Sequence, residues 1–159
     1  MSYVEKMKMD LIIMSFDEIN ALEDKKTYNL ISILSDADEQ ILKSRGENVS
    51  EIRSKFKECL ALSFEDVLTH ETGLKCPNAI DVITSINWSR TRNRIIVQCF
   101  GGISRSSAIA FLIAIDKYGL GSAKQLIKGS KNYQPNLAII KYGERIFSTE
   151  LIEWVYVDR

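Results

Sequence analysis

The chain has 159 residues, 45% of them hydrophobic, which suits a single domain over residues 1–159 with a core of its own. Its 21 basic and 21 acidic residues give a formal net charge of zero, so composition makes no electrostatic case for a nucleic-acid or membrane partner. No apolar stretch approaches the ~20 residues of a membrane span, and acids and a lysine interrupt the first residues, unlike a signal peptide. Three cysteines (Cys59, Cys76, Cys99) form no C-x-x-C pair, which points to a reducing, cytoplasmic setting with free thiols.

In chain order, residues 10–15 (DLIIMS) are a short β-branched run expected to be a strand. Residues 16–23 follow with Phe16, Ile19 and Leu22 at helical spacing. Residues 28–34 (YNLISIL) read as a second, buried strand closed by a turn at Ser35-Asp36-Ala37-Asp38. Residues 39–57 are polar around Gly46 and Asn48, and fit a broken helix or a mobile insertion. Residues 59–64 (CLALSF) make a third strand. Residues 77–90 carry Ile80, Ile83 and Ile86 at helical offsets, with Pro77 at an early helix position. Residues 94–98 are the fourth strand. Helical segments follow over 106–118, 121–131 and 135–147, broken at Gly119, Gly121 and Gly129. Residues 151–157 are short and aromatic, and fit no single element. Strands separated by helices imply an α/β fold: a central, mostly parallel sheet of four to five strands flanked by helices.

Ligands of such sheets sit beyond the carboxyl ends of the strands, and Cys99 lies at the end of the fourth. The stretch Gln98-Cys99-Phe100-Gly101-Gly102-Ile103-Ser104-Arg105-Ser106 joins that strand to a helix and holds a Cys-x5-Arg spacing. Neither other cysteine has an arginine six residues on, since Glu65 and Val82 stand there. A turn of this kind gathers backbone N–H groups at a helix N-terminus, where aligned peptide dipoles favour an anion. It also sets a thiol and a guanidinium beside that anion, the groups needed to take a phosphoryl group onto sulfur.

These residues resemble the phosphate-binding loop of cysteine-dependent dual-specificity and tyrosine phosphatases, and Ile103-Ser104-Arg105-Ser106 is close to wording common in the dual-specificity members. Two other segments match: Cys59-Leu60-Ala61-Leu62-Ser63-Phe64-Glu65-Asp66 resembles the strand and loop that carry the general acid, and Tyr133-Gln134-Pro135-Asn136 resembles the Pro-Asn step downstream of the loop. The likeness covers about residues 59–147. Overall length and the Pro135-Asn136 step are also similar to those of small tyrosine phosphatases of bacteria.

The resemblance implies a dual-specificity-phosphatase-like fold and a role for each residue. Cys99 is the nucleophile and forms a phosphocysteine; helix placement, N–H donors and a nearby arginine favour its thiolate. Arg105 holds two phosphoryl oxygens, and the N–H groups of Phe100, Gly101, Gly102, Ile103, Ser104 and Arg105 hold the rest. Ser106 hydrogen-bonds the Cys99 sulfur as it leaves, although its spacing equally suits a helix cap. Asp66 is the general acid and base, a choice over Glu65 and Glu71 made only by the resemblance. Asn136 buttresses the loop at a helix start.

One departure stands out. The family has histidine before the cysteine, where this chain has Gln98, which cannot carry charge; the expectation is a slower enzyme or a non-catalytic phosphate-binding module. The only histidine, His70, reads as a surface residue, which disfavours metal or serine–histidine chemistry. No metal or organic cofactor is implied. The loop has no lysine, which favours a phosphorylated protein or peptide, phosphotyrosine first, over phosphoinositide or RNA phosphates. Phosphate, sulfate and vanadate-type anions are the simple ligands. Phe100 is placed against the substrate ring or beneath the loop, Arg90, Arg92 and Arg94 in a solvated turn with a minor steering role, and Cys59 in the core or as a disulfide partner of Cys99.

Overall fold

Capping boxes start four of the helices, each a serine or asparagine whose side chain takes the N–H three residues on while the residue there reaches back. They are Ser2 with Glu5, Ser15 with Glu18, Ser35 with Asp38 and Asn78 with Asp81. The computed structural model describes residues 1–158. In chain order the elements are α1 (Tyr3–Asp10), β1 (Leu11–Met14), α2 (Phe16–Ala21), β2 (Asn29–Ile33), α3 (Asp36–Ser44), α4 (Val49–Ser54), β3 (Glu58–Leu62) and α5 (Ala79–Ser89). There follow β4 (Ile95–Gln98), α6 (Arg105–Tyr118), α7 (Leu120–Lys128), α8 (Leu137–Phe147) and a π-helical turn at Trp154–Asp158.

The four strands form one parallel sheet in the order β1-β4-β2-β3. Alternation along each strand divides the core between two faces. Ile95 and Val97 point to one face with Ile31, Ile33, Leu11 and Ile13; Ile96 and Leu30 point to the other. The first face carries α5, α6, α7 and α8, and the second is covered from α2, α3 and α4, whose Phe16, Ile19, Leu42 and Ile52 close it. Helix α6 is buried without a break from Arg105 to Ala114, as expected of a helix that is apolar on nearly every side. Its Phe111, Leu112 and Ile113 are fully buried, each contributing roughly 1.5–3 kcal/mol of apolar transfer. Helix α8 approaches α6 at Gly143, where a Cβ would collide with Leu112. No helix among the described residues is long and apolar enough to cross a membrane.

The α/β reading holds, with four strands. Residues 39–57 are a broken helix and not an insertion: α3 and α4 are separated by Gly46 at φ 81° and restarted by Asn48, whose side chain accepts from the Glu51 N–H. Ser35-Asp36-Ala37-Asp38 is the capped start of α3 and not a turn. The same short polar side chains serve both purposes, and the apolar Leu42 one turn on decides between them. Pro77 lies outside α5, which is capped by Asn78.

Candidate active site

The loop from Cys99 to Ser104 is moored to both ends of the chain. The Phe16 N–H donates to the Phe100 carbonyl at 3.1 Å, and on the far side Gln134 and Asn136 N–H groups donate to Ile103 and Ser104 carbonyls at 3.0 Å each. Gly102, at φ 68°, lies so close to β1 that a Cβ would stand 2.6 Å from the Ser15 nitrogen and 2.9 Å from the Met14 carbonyl carbon. Only glycine combines that positive φ with that approach.

Cys99 is 2% exposed, at the floor of the loop. Its sulfur accepts the Gly102 N–H at 3.2 Å and lies 3.1 Å from the Ser106 hydroxyl. Ser106 does not cap α6, because the cap position belongs to Ser104. Among the described residues the N–H groups of Phe100, Gly101, Ile103 and Ser104 donate to no protein acceptor, which leaves them for an anion or water.

Arg105 opens α6 with a side chain only 6% exposed. Its Nη1 donates to Asp38 Oδ2 at 2.8 Å and to the Phe64 carbonyl at 3.1 Å, while its buried Nε has no partner among the described residues. Asp38 was invisible as a site residue from sequence; its only signal is the Ser35-x-x-Asp38 capping box, and one carboxylate serves both the cap and the guanidinium.

Asp66 stands beyond β3 with one carboxylate oxygen taking two donors, Ser104 Oγ and Asn136 Nδ2, each at 2.8 Å. Asn136 is fully buried and does more than buttress the loop. Its Oδ1 accepts the Ile139 N–H to cap α8, and its amide also reaches the Val67 carbonyl at 3.0 Å. The competing acids stand elsewhere: Glu65 lines a separate hollow with Ser35 and Asp36, and Glu71 packs its backbone against Cys76. His70 lies outside the cleft, beside Lys141 and Arg145.

Cys99, Arg105, Asp66 and Ser104 meet in one cleft of about 400 Å³, its rim formed by Leu68, Ile103, Pro135 and Tyr156. Tyr156, another residue sequence reasoning did not reach, donates its hydroxyl to the Pro135 carbonyl. Phe100 faces away from the cleft: it packs on the Phe16–Leu30 side with the Arg45 guanidinium 5.4 Å from its ring, so the substrate-ring alternative for it is withdrawn.

Gln98 is fully buried, with its Oε1 2.6 Å from Ser32 Oγ. Arg90, Arg92 and Arg94 precede β4, at the opposite end of the sheet from the cleft, and are engaged by Asp116, Glu58 and the Tyr28 ring. Cys59 is exposed on the edge strand, not in the core, though desolvation still raises its thiol against the opposing charge of Arg53. It stands level with Ile96, three residues short of Cys99 and two strands away, roughly 14 Å between Cα atoms at ordinary sheet spacings. A disulfide needs less than about 7 Å.

No protein-family model matches the chain, and no curated protein matches it significantly. Solved structures are. Human DUSP28 shares 16% identity over 91% of this chain and 99% of its own, with a TM-score of 0.63. Tk-PTP in its active form shares 12% over 88% and 91%, with a TM-score of 0.61. PTPMT1 in complex with PI(5)P shares 12% over 90% and 96%, with a TM-score of 0.56. The fold is therefore that of dual-specificity and tyrosine phosphatases.

Proposed function

We propose that the chain, as one domain over residues 1–159, is a cysteine-dependent protein phosphatase that hydrolyses phosphotyrosine-type monoesters, with phosphoserine and phosphothreonine as secondary substrates. One observation carries the reading: a single cleft holds a sulfur with two hydrogen-bonding neighbours, a buried guanidinium whose Nε is unpartnered, and a carboxylate fixed by two donors. A buried donor without a partner costs free energy, which an arriving phosphoryl oxygen would recover.

In the first step the Cys99 thiolate attacks phosphorus and the ester P–O bond breaks. The leaving oxygen takes a proton from Asp66, a transfer worth roughly 10²–10⁴ in rate. Arg105 and the unengaged loop N–H groups hold the equatorial oxygens, where charge spreads in the transition state. In the second step water attacks phosphorus, Asp66 takes its proton, the P–S bond breaks and the departing sulfur is met by the Ser106 hydroxyl.

The apolar rim of Leu68, Ile103 and Tyr156 above a polar floor suits an aryl phosphate on a protein or peptide. Among the described residues Arg105 is the one cation lining the cleft, which suits one phosphate better than a polyphosphorylated lipid or RNA end. Three free cysteines fit a reducing, cytoplasmic setting.

The test is hydrolysis of an aryl phosphate by wild type, Cys99→Ser and Asp66→Ala, with vanadate and EDTA arms. The expected result is vanadate-sensitive, EDTA-insensitive turnover that disappears in Cys99→Ser. Wild-type turnover no greater than that of Cys99→Ser would overturn the enzyme reading and leave a phosphate-binding module. A phosphoinositide panel run alongside phosphopeptides tests the substrate class.

A further inference from the structure

A second hollow, of about 250 Å³, opens beside the cleft, and Leu68 lines both. One wall is the loop beyond Asp66, through His70; the other is α8, through Ala138, Lys141, Tyr142 and Arg145. Those α8 positions recur at the three- and four-residue spacing of a single helix face, while Ile139, Ile140 and Gly143 turn to the core. The two walls are tied together, because Asn136 at the cap of α8 holds both Asp66 and the Val67 carbonyl.

Charge sets this hollow apart. Lys141 and Arg145 are exposed and stand one turn apart on α8, a like-charged spacing that weakens a helix. Among the described residues no carboxylate lines the hollow. Glu144 is committed to the N–H groups of Leu151 and Ile152, and Asp66 is held on the cleft side by Ser104 and Asn136. Of the other described arginines, four pair with carboxylates and two lie over aromatic rings. Arg145 has neither kind of partner among the described residues, and Lys141 has no acid. A concave surface with a guanidinium, an ammonium group and no counter-ion attracts an anion.

Reach decides which anion. From Asn136, α8 rises roughly 7 Å to Lys141 and roughly 13 Å to Arg145. An extended peptide covers ~3.3 Å per residue. A peptide with its phosphate over Cys99 therefore brings side chains about two to four residues away to these cations, crossing Leu68, which is 55% exposed.

We propose that this hollow is a specificity subsite for an anionic side chain of the substrate peptide, a carboxylate or a second phosphate, about two to four residues from the phosphorylated one. The proposal rests on the phosphatase reading for what occupies the cleft.

The experiment compares phosphotyrosine peptides carrying glutamate, phosphoserine or alanine at those positions, on either side of the phosphotyrosine. It reads kcat/KM with the wild-type protein, and fluorescence-anisotropy binding with Cys99→Ser, which needs no turnover. Wild type is expected to favour an anionic peptide over the alanine peptide about fivefold, the worth of two exposed ion pairs. The preference should shrink towards unity in about 0.3 M salt, and in the double variant Lys141→Gln, Arg145→Gln. That variant should melt like wild type and keep its kcat/KM on a small aryl phosphate, since neither side chain lines the cleft. Equal gains from glutamate and phosphoserine identify a general anion subsite, and a gain from phosphoserine alone identifies one for a second phosphate. No preference in wild type, or a preference that survives in the double variant, overturns the subsite. Binding of phosphatidylinositol phosphate vesicles that the double variant loses, with peptides indifferent, overturns it in favour of a lipid. A peptide preference in binding without any turnover keeps the subsite and removes the phosphatase function; ordinary turnover with no preference removes the subsite alone.

Discussion

Asn136 donates a 2.8 Å hydrogen bond to Asp66 across 70 residues of sequence. The carboxylate to which the proposed mechanism assigns the proton transfer is therefore positioned from the start of α8 and not by its own loop alone. Asn136→Ser keeps an oxygen to cap α8 but lacks the amide that reaches Asp66. Aryl phosphate kcat is expected to fall about tenfold, within the 10²–10⁴ lost in Asp66→Ala. Alkylation of Cys99 and the melting temperature should stay near wild type. An unchanged kcat would show that Ser104 suffices to hold Asp66.

Asp38 neutralises a buried guanidinium, and its removal leaves that charge without a counter-ion. Asp38→Ala is expected to cost about 3 kcal/mol, roughly 6–12 °C in melting temperature for a chain of this size. Phosphate or sulfate would then replace the missing carboxylate, because the anion binds only the folded site. Calorimetry with and without 10 mM-scale sulfate should show a larger anion-induced rise in the variant than in wild type. Equal rises would mean that Arg105 does not face the anion site.

The two loop glycines should respond differently. A methyl group on Gly102 meets backbone at 2.6 Å with φ at 68°, whereas on Gly101 its nearest neighbour is Ile103 Cδ1 at 3.9 Å. Gly102→Ala is expected to lose activity on the order of 100-fold by displacing the loop about an ångström, and Gly101→Ala to stay within about threefold. Steady-state kinetics on the two variants decide it, and equal losses would mean the Ser15 contact does not shape the loop.

Substrate choice is expected to follow the rim. Tyr156→Ala and Ile103→Ala remove apolar surface above the floor, and should raise KM for an aryl phosphate about fivefold while leaving an alkyl phosphate nearly unchanged. Parallel loss on both substrates would place these residues in support of the floor instead.

Cys59 should be a bystander. Desolvation raises its thiol, so at pH 7–8 it carries less thiolate than a free cysteine, and its alkylation should climb only above the ordinary thiol range near pH 8.5. Cys59→Ser is expected to leave turnover unchanged, and peptide mapping after mild peroxide should find no Cys59–Cys99 linkage. Such a linkage would require the sheet to open.

The sequence made the strands legible where β-branched runs were dense, at 95–98 and 30–33, and made the nucleophile loop legible because its chemistry is contiguous. Asp66 could be chosen over Glu65 only by resemblance; the structure separates them by placing one in the cleft and the other in a different hollow. Ser35-x-x-Asp38 was readable as polar punctuation, yet the Asp38–Arg105 pair spans 67 residues and no local pattern encodes it. Phe100 was ambiguous because side-chain alternation stops where β4 ends, and the direction of a loop residue is set by packing.

Gly102 against Ser15, with the Phe16–Phe100 and Asn136–Ser104 bonds, has a consequence for how this protein comes into being. The reactive loop is clamped by residues 15–16 on one flank and 134–136 on the other, so neither half of a growing or partly folded chain can shape it. A thiol poised for nucleophilic attack is a hazard in an immature polypeptide, open to oxidation and to stray electrophiles. On the proposed reading the loop takes its shape only when both flanks are in place, and the assembly of the whole molecule serves as the safety catch on its own chemistry.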